Sequence, residues 1–263
     1  MTKPFLILFL SLCLGSVGYA SQGTPAAGKS PALNDKVTIQ PKRIVIVRTP
    51  AVARQFPERK RAIVTYPVVS GLSDATVLRR IRALFDFKNI FDYSLQEYRE
   101  DAWLSEFGYV VNLNKNYLLD ITFNQNGVAA YPDDQSKHFL INLRNGHVIK
   151  AADAFDSSRF EELAKIVNDK LQQELKALEK DNTAIDANDL EAQTMRREAY
   201  EALKFEAQNL DEFSVNARGV TFLYDAGFPH AIQALEPEGR YFFSYAQLKP
   251  FIKADGPLGQ FVR

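Results

Sequence analysis

Phe107-Gly108-Tyr109-Val110-Val111-Asn112-Leu113 is followed by Asn114-Lys115-Asn116 and then by Leu118-Leu119-Asp120-Ile121-Thr122-Phe123. Two runs rich in β-branched and aromatic residues flank a short Asn-containing link, the pattern of a β-hairpin. A third run, His138-Phe139-Leu140-Ile141-Asn142-Leu143, ends in Arg144-Asn145-Gly146-His147, whose Asn-Gly pair marks a turn. The polar stretch Asn124 to Lys137 reads as a long loop between the second and third strands. Together these predict an antiparallel meander.

Upstream, Ile44 to Val47 within Lys42–Arg48 reads as a short strand, and Ala62 to Val69 as a second. Pro67 favours an edge or a bulge, because proline cannot donate to a ladder. Ser73-Asp74 caps a helix that carries Val77, Ile81, Leu84 and Phe85 at helical spacing. Aromatic-rich Phe87 to Trp103 continues as helix or packed loop. Downstream, Ser158-Arg159-Phe160-Glu161 matches a capping box. The helix it opens places Phe160, Leu163, Val167, Leu171, Leu175 and Leu178 on one face, and Asp181 to Asp186 breaks it. A second helix spans about Leu190 to Leu210. Phe213–Val215, Val220–Tyr224 and Tyr241–Ser244 read as strands, and Ala246 to Ile252 as a closing helix. The predicted class is α+β, an antiparallel sheet with helices packed on one face. Hairpin connections in place of βαβ units argue against a Rossmann-like enzyme.

The N-terminus reads as an address. Lys3 precedes an apolar run from Phe5 to Leu14, and Gly18-Tyr19-Ala20 offers small residues before Ser21. This is the order of a secretory signal peptide, and the run is too short to span a bilayer. The alternatives are an uncleaved anchor and a lipoprotein acylated at Cys13, for which Leu12 is too bulky. The expected organisation is a leader at residues 1–20, a flexible spacer at 21–35 and one α+β module at 36–263. A subdivision into 36–150 and 151–263 is compatible with that reading. Cleavage near Ala20-Ser21 puts the mature chain in the periplasm or outside the cell, with no transmembrane span.

The whole chain holds 32 Lys+Arg and 32 Asp+Glu among 263 residues, with 46% hydrophobic content and one cysteine. That excludes a disordered chain and a basic nucleic-acid binder. Cys13 lies in the leader, so the mature chain has no disulfide and no thiol nucleophile. Neutrality hides segregation. Residues 21–100 carry 14 positive and 7 negative side chains, whereas residues 101–263 carry 17 and 25.

Three pieces of the chain resemble a module of unknown function. It occurs in RsiV-type, lysozyme-sensing anti-sigma factors and in PdaC-type peptidoglycan deacetylases. The pieces are Tyr66-Pro67-Val68-Val69-Ser70-Gly71-Leu72 before a helix, the hairpin Asn114 to Phe123 with Phe139 to Gly146 and Ala154-Phe155-Asp156, and Phe213 to Tyr224 with Phe243 to Ile252. Where many members carry Gly-Gly-Ala-His-Gly, this chain reads Val128-Ala129-Ala130-Tyr131-Pro132. Phe228-Pro229-His230 and Glu236-Pro237-Glu238-Gly239 match the loop before the last strand loosely. Only three residues other than Met1 precede the apolar run, and the deacetylase's His-x-x-x-His is missing. The resemblance therefore implies the exported module alone.

Catalytic signatures are sparse. No Gly-x-Ser-x-Gly elbow or Gly-rich phosphate loop occurs. His138 and His147 stand at either end of a strand and turn, about 30 Å apart if extended at ~3.3 Å per residue, too far to share a metal. His230 with Asp225 could approach either histidine, but nothing in the spacing requires it. No catalytic residue, metal site or cofactor is assigned. The candidate ligand-binding residues are Tyr131, Asp133, Asp134, Phe228, His230 and Tyr241, set near predicted loops. The first functional expectation is a non-catalytic recognition module of the cell envelope, binding peptidoglycan or a lysozyme-like protein. The alternatives are an envelope hydrolase with an unrecognised carboxylate or His site, and a structural accessory subunit.

Overall fold

A computed structural model describes residues 35–128, 132–180, 189–228 and 230–263. The expected leader and the spacer up to residue 34 lie outside the described residues, as does the expected helix break at 181–186. Strands β1 (Thr38–Val47), β2 (Arg61–Ser70), β3 (Leu104–Lys115), β4 (Leu118–Val128), β5 (Pro132–Asn142) and β6 (His147–Val148) form one sheet in that order. β7 (Phe213–Val215), β8 (Gly219–Leu223) and β9 (Arg240–Ser244) form a second, antiparallel sheet. With helices of up to 21 residues, the class is α+β.

The β3–β4 hairpin closes through Asn116 and Tyr117, both at positive φ (56° and 61°), with Lys115 opposite Leu118. Two left-handed residues in a two-residue turn match the twist of the flanking strands. Several expectations change. The large sheet is mixed, because β2 and β3 pair in parallel at Ile63–Glu106 and Val64–Phe107. The crossover between them holds α2 (Ala75–Leu84), α3 (Phe87–Phe91) and α4 (Leu95–Glu100). Next, Asn124 to Lys137 is mostly strand. β4 and β5 stay paired out to Val128–Pro132, so the polar residues extend a hairpin. Last, the second long helix is α7 (Leu190–Ala202), and Ala207–Asp211 is a separate 3-10 turn.

Asp74 caps α2 by accepting from the N–H groups of Thr76 and Val77. Helix α6 (Phe160–Lys180) is preceded by a 3-10 turn capped by Asp156, not by the expected Ser158 box. Pro67 lies beyond the short parallel ladder and faces Pro41 of β1. Its missing donor therefore leaves no gap toward β3.

Residues Leu33–Arg263 form one compact unit with a hydrophobic cluster on each face of β4. Leu119, Ile121 and Phe123 join Ile81, Phe85, Phe87, Ile90 and Tyr98. The alternate residue Leu118, with Leu113 and Leu140, joins the cluster of α6 and the second sheet, including Leu171, Phe213 and Phe222. Period-2 alternation thus sends one strand into two cores. Phe123 anchors the first, with ring centroids 5.1 Å from Phe85 and 6.0 Å from both Phe107 and Phe139.

Candidate functional site

Beyond Leu118 and Asp120, the second face of β4 and β5 is not covered by the small sheet. It opens into a cleft of about 860 Å³. One wall is β5 from Asp133 to His138, with Thr122 of β4. The other is built from Leu223 to Asp225, Gly227, Phe228, Gln233 and Glu236 to Arg240, with Glu212. Six acidic side chains line it: Asp133, Asp134, Glu212, Asp225, Glu236 and Glu238. Lys137 and Arg240 are its two Lys/Arg side chains. On its outer side, β5 pairs among the described strands only at Ile141 and Asn142, with β6. Asp134 to Lys137 are exposed there. A strand edge with free backbone groups therefore runs along an acid-rich cleft.

Beside the cleft lies a buried polar node. Asp120 is fully buried. Its Oδ1 accepts from Asn112 Nδ2 (2.7 Å), His138 Nε2 (2.9 Å) and Ser214 Oγ (3.1 Å), and its Oδ2 accepts from the Val215 N–H. A buried carboxyl group needs such partners, because an unpaired one carries the full desolvation cost. The register shift between Val111 and Leu113 makes Asn112 the extra residue of a β-bulge, which re-aims its side chain onto Asp120. His138 lines the cleft while its Nε2 is held on this node.

A second pocket, of about 490 Å³, opens on the opposite face of β5. Phe56, Tyr93 and Trp103 supply aromatic surface, and Gln55, Arg59, Glu100, Asp101, Asp133 and Gln135 supply polar groups. Asp133 and Gln135 line both cavities. The strand β5 is thus the partition between them.

The expected site residues divide as follows. Asp133, Asp134 and Phe228 come together on the cleft. Phe228 is half-buried, its ring stacked on Tyr200 at 6.0 Å. Tyr131 lies outside the described residues. His230 begins a 3-10 turn, His230–Leu235. Tyr241 is not the exposed contact expected of it. It is 4% exposed on β9, opposite Phe222, and its hydroxyl donates to Glu174 Oε2 at 2.9 Å. Burial and that carboxylate push the Tyr241 phenol well above its usual range. The extended separation of His138 and His147 also fails, because the turn at Arg144–Gly146 folds His147 back opposite Asn142. His147 Nε2 then meets Arg80 Nη1 at 3.1 Å, while His138 meets Asp120. Among the described residues no three His, Cys, Asp or Glu side chains converge as a metal site would require.

Asp120, Gln125 and Gln135 escaped the sequence reading. For Asp120 a signal existed: an acidic residue between Leu119 and Ile121, inside the buried run Leu118 to Ile121.

No family model and no curated protein matches the chain. Solved structures do. A DUF3298 family member from Bacteroides fragilis aligns over 87% of this chain and 98% of its own, at 15% identity and a TM-score of 0.52. The chain shares the fold of that protein. A DUF3298 family protein from Pseudomonas aeruginosa aligns over 82% and 94%, at 15% identity and a TM-score of 0.47. No helix among the described residues is long and apolar enough to cross a membrane.

Proposed function

We propose that this protein is an exported, non-catalytic recognition module of the cell envelope whose acid-lined cleft receives a cationic, extended segment of a partner protein. Six acidic side chains against two Lys/Arg carry the reading. Low-dielectric walls lined by one sign of charge focus the field and steer an oppositely charged partner. The free edge of β5 adds backbone donors and acceptors for strand addition. The resemblance to lysozyme-sensing proteins makes a basic, lysozyme-like hydrolase the first partner to try. The apolar run at Phe5 to Leu14 supports export to the periplasm or beyond.

Titration with lysozyme at low and high salt tests this. Saturable binding that weakens with salt, and that falls about tenfold in Asp134→Lys/Glu238→Lys, is the expected outcome. Both side chains are exposed, so the variant should fold normally. Absence of binding at low salt, or binding indifferent to the variant, overturns the reading.

One observation favours a second reading, an envelope hydrolase: His138 lines the cleft and is oriented by Asp120. A positioned imidazole is a common general base. Turnover of a wall-derived substrate that His138→Gln abolishes would establish it. Equal activity in the variant would end it.

A further inference from the structure

From the pocket on the other face of β5 we infer a second site of different chemistry, one that binds a pyranose sugar unit of a glycan. It is independent of the cationic-partner reading.

A sugar ring presents an apolar C–H face and a rim of hydroxyls. A site for it needs a flat aromatic surface and fixed polar groups at its edge. This pocket has both. Trp103 is its floor and is held from three directions. Its backbone N–H donates to Asp101 Oδ1 at 2.7 Å, its backbone carbonyl accepts from the Val128 N–H at 3.0 Å, and its ring lies on Gly127. A Cβ at Gly127 would come within 2.6 Å of the indole, so glycine is what lets the ring lie flat there. Tyr93 is exposed and stacks on buried Tyr98 at 5.2 Å, with 21° between the planes. Phe56 carries the Arg59 guanidinium over its ring at 5.7 Å.

The polar rim is oriented from the core. The Tyr98 hydroxyl donates to Gln125 Oε1, and Gln125 Nε2 donates to Gln135 Oε1 at 2.8 Å. Gln135 Nε2 then donates to Asp133 Oδ2 at 3.0 Å. Tyr98 and Gln125 are buried, 1% and 2% exposed. This relay fixes the Asp133 carboxylate before any ligand arrives, as an acceptor for a hydroxyl. Glu100 and Gln55 also line the pocket and are exposed. Preorganised polar groups cost little ordering entropy on binding. Mixed Glu, Asp, Gln and Arg suit a neutral polyhydroxylated ligand better than an ion.

Trp103 is the chain's only tryptophan, so its emission reports on the pocket alone. The probes are tetra-N-acetylchitotetraose and cellotetraose. The expected result is a saturable emission change with at least one of them. It should persist at high salt and in Asp134→Lys/Glu238→Lys, and its affinity should weaken about tenfold in Tyr93→Ala and in Asp133→Asn. No change with either sugar up to about 10 mM, the weak limit of specific binding, overturns the proposal. So does a change that both pocket variants leave intact. A cleft that fails to bind lysozyme leaves this result untouched, which keeps the two proposals separable.

Discussion

Asp133 and Asp134 are neighbours in sequence and, by the alternation of the strand, lie on opposite faces of β5. Asp133 belongs to the aromatic pocket and the cleft, tied through Gln135 and Gln125 to a buried tyrosine. Asp134 faces the cleft alone, exposed. On the first face, geometry is set by short contacts, so recognition there should be specific and insensitive to salt. On the second, six acidic groups act through their summed field, so recognition should be long-ranged and screened. One strand serves both because its side chains alternate.

The largest way to break the contrast is at the node that joins the two halves of the molecule. Asp120→Ala leaves Asn112, His138, Ser214 and the Val215 N–H without their shared acceptor. Urea unfolding should show a loss of about 3–5 kcal/mol, the cost of stripping one partner from a buried polar cluster. A loss below about 1 kcal/mol would mean that water substitutes for it. Gly127→Ala comes next. The new methyl collides with Trp103, so about 1–3 kcal/mol of stability should go, with a red shift of tryptophan emission. Salt-dependent binding in the cleft should survive.

Reversing charge at Asp134 and Glu238 has a middling effect, about tenfold in affinity or ~1.4 kcal/mol, read by lysozyme titration. It sharpens the contrast only if sugar binding stays unchanged. The smallest effect concerns pH. Glu97, at the start of α4, accepts from Lys88 and from the Ser94 N–H, which pull its carboxyl down to about 2 from 4.5. A depressed carboxyl stabilises the fold above 4.5 and loses that contribution as pH falls toward about 2. Acid titration of Glu97→Gln beside the parent should show curves that differ near neutrality and converge at low pH. Parallel curves throughout would remove Glu97 from the acid response.

Much of the fold was legible. The β3–β4 hairpin announced itself because alternation, β-branched residues and Asn116 all agree. The parallel β2–β3 pairing was not legible, since partners separated by a three-helix crossover leave no local mark. Asn124 to Lys137 misled for a physical reason. Asp133, Gln135 and Ser136 are polar because they line cavities, and Gln125 because it is bonded to Tyr98 and Gln135 inside the core; polarity in a strand imitates a loop. The candidate site was half legible. Asp133, Asp134 and Phe228 were found through their place near turns. Tyr241 was misplaced because adjacency to a loop says nothing about which face of β9 a residue occupies. The acid at Asp120 is legible as an interruption of the apolar run Leu118 to Ile121, but its partners on the second sheet leave no local mark.

The spacing of Asp120's partners along the chain has a kinetic consequence. Asn112 and His138 stand 8 and 18 residues away, while Ser214 and Val215 stand 94 and 95 away. Loop-closure entropy makes the near pair form first. A β3–β4–β5 meander can therefore assemble with this acid half-satisfied, and docking of the second sheet completes it. The Val215 amide should gain protection from hydrogen exchange only in that last event. Protection at Val215 as early as in β4 would reverse the order.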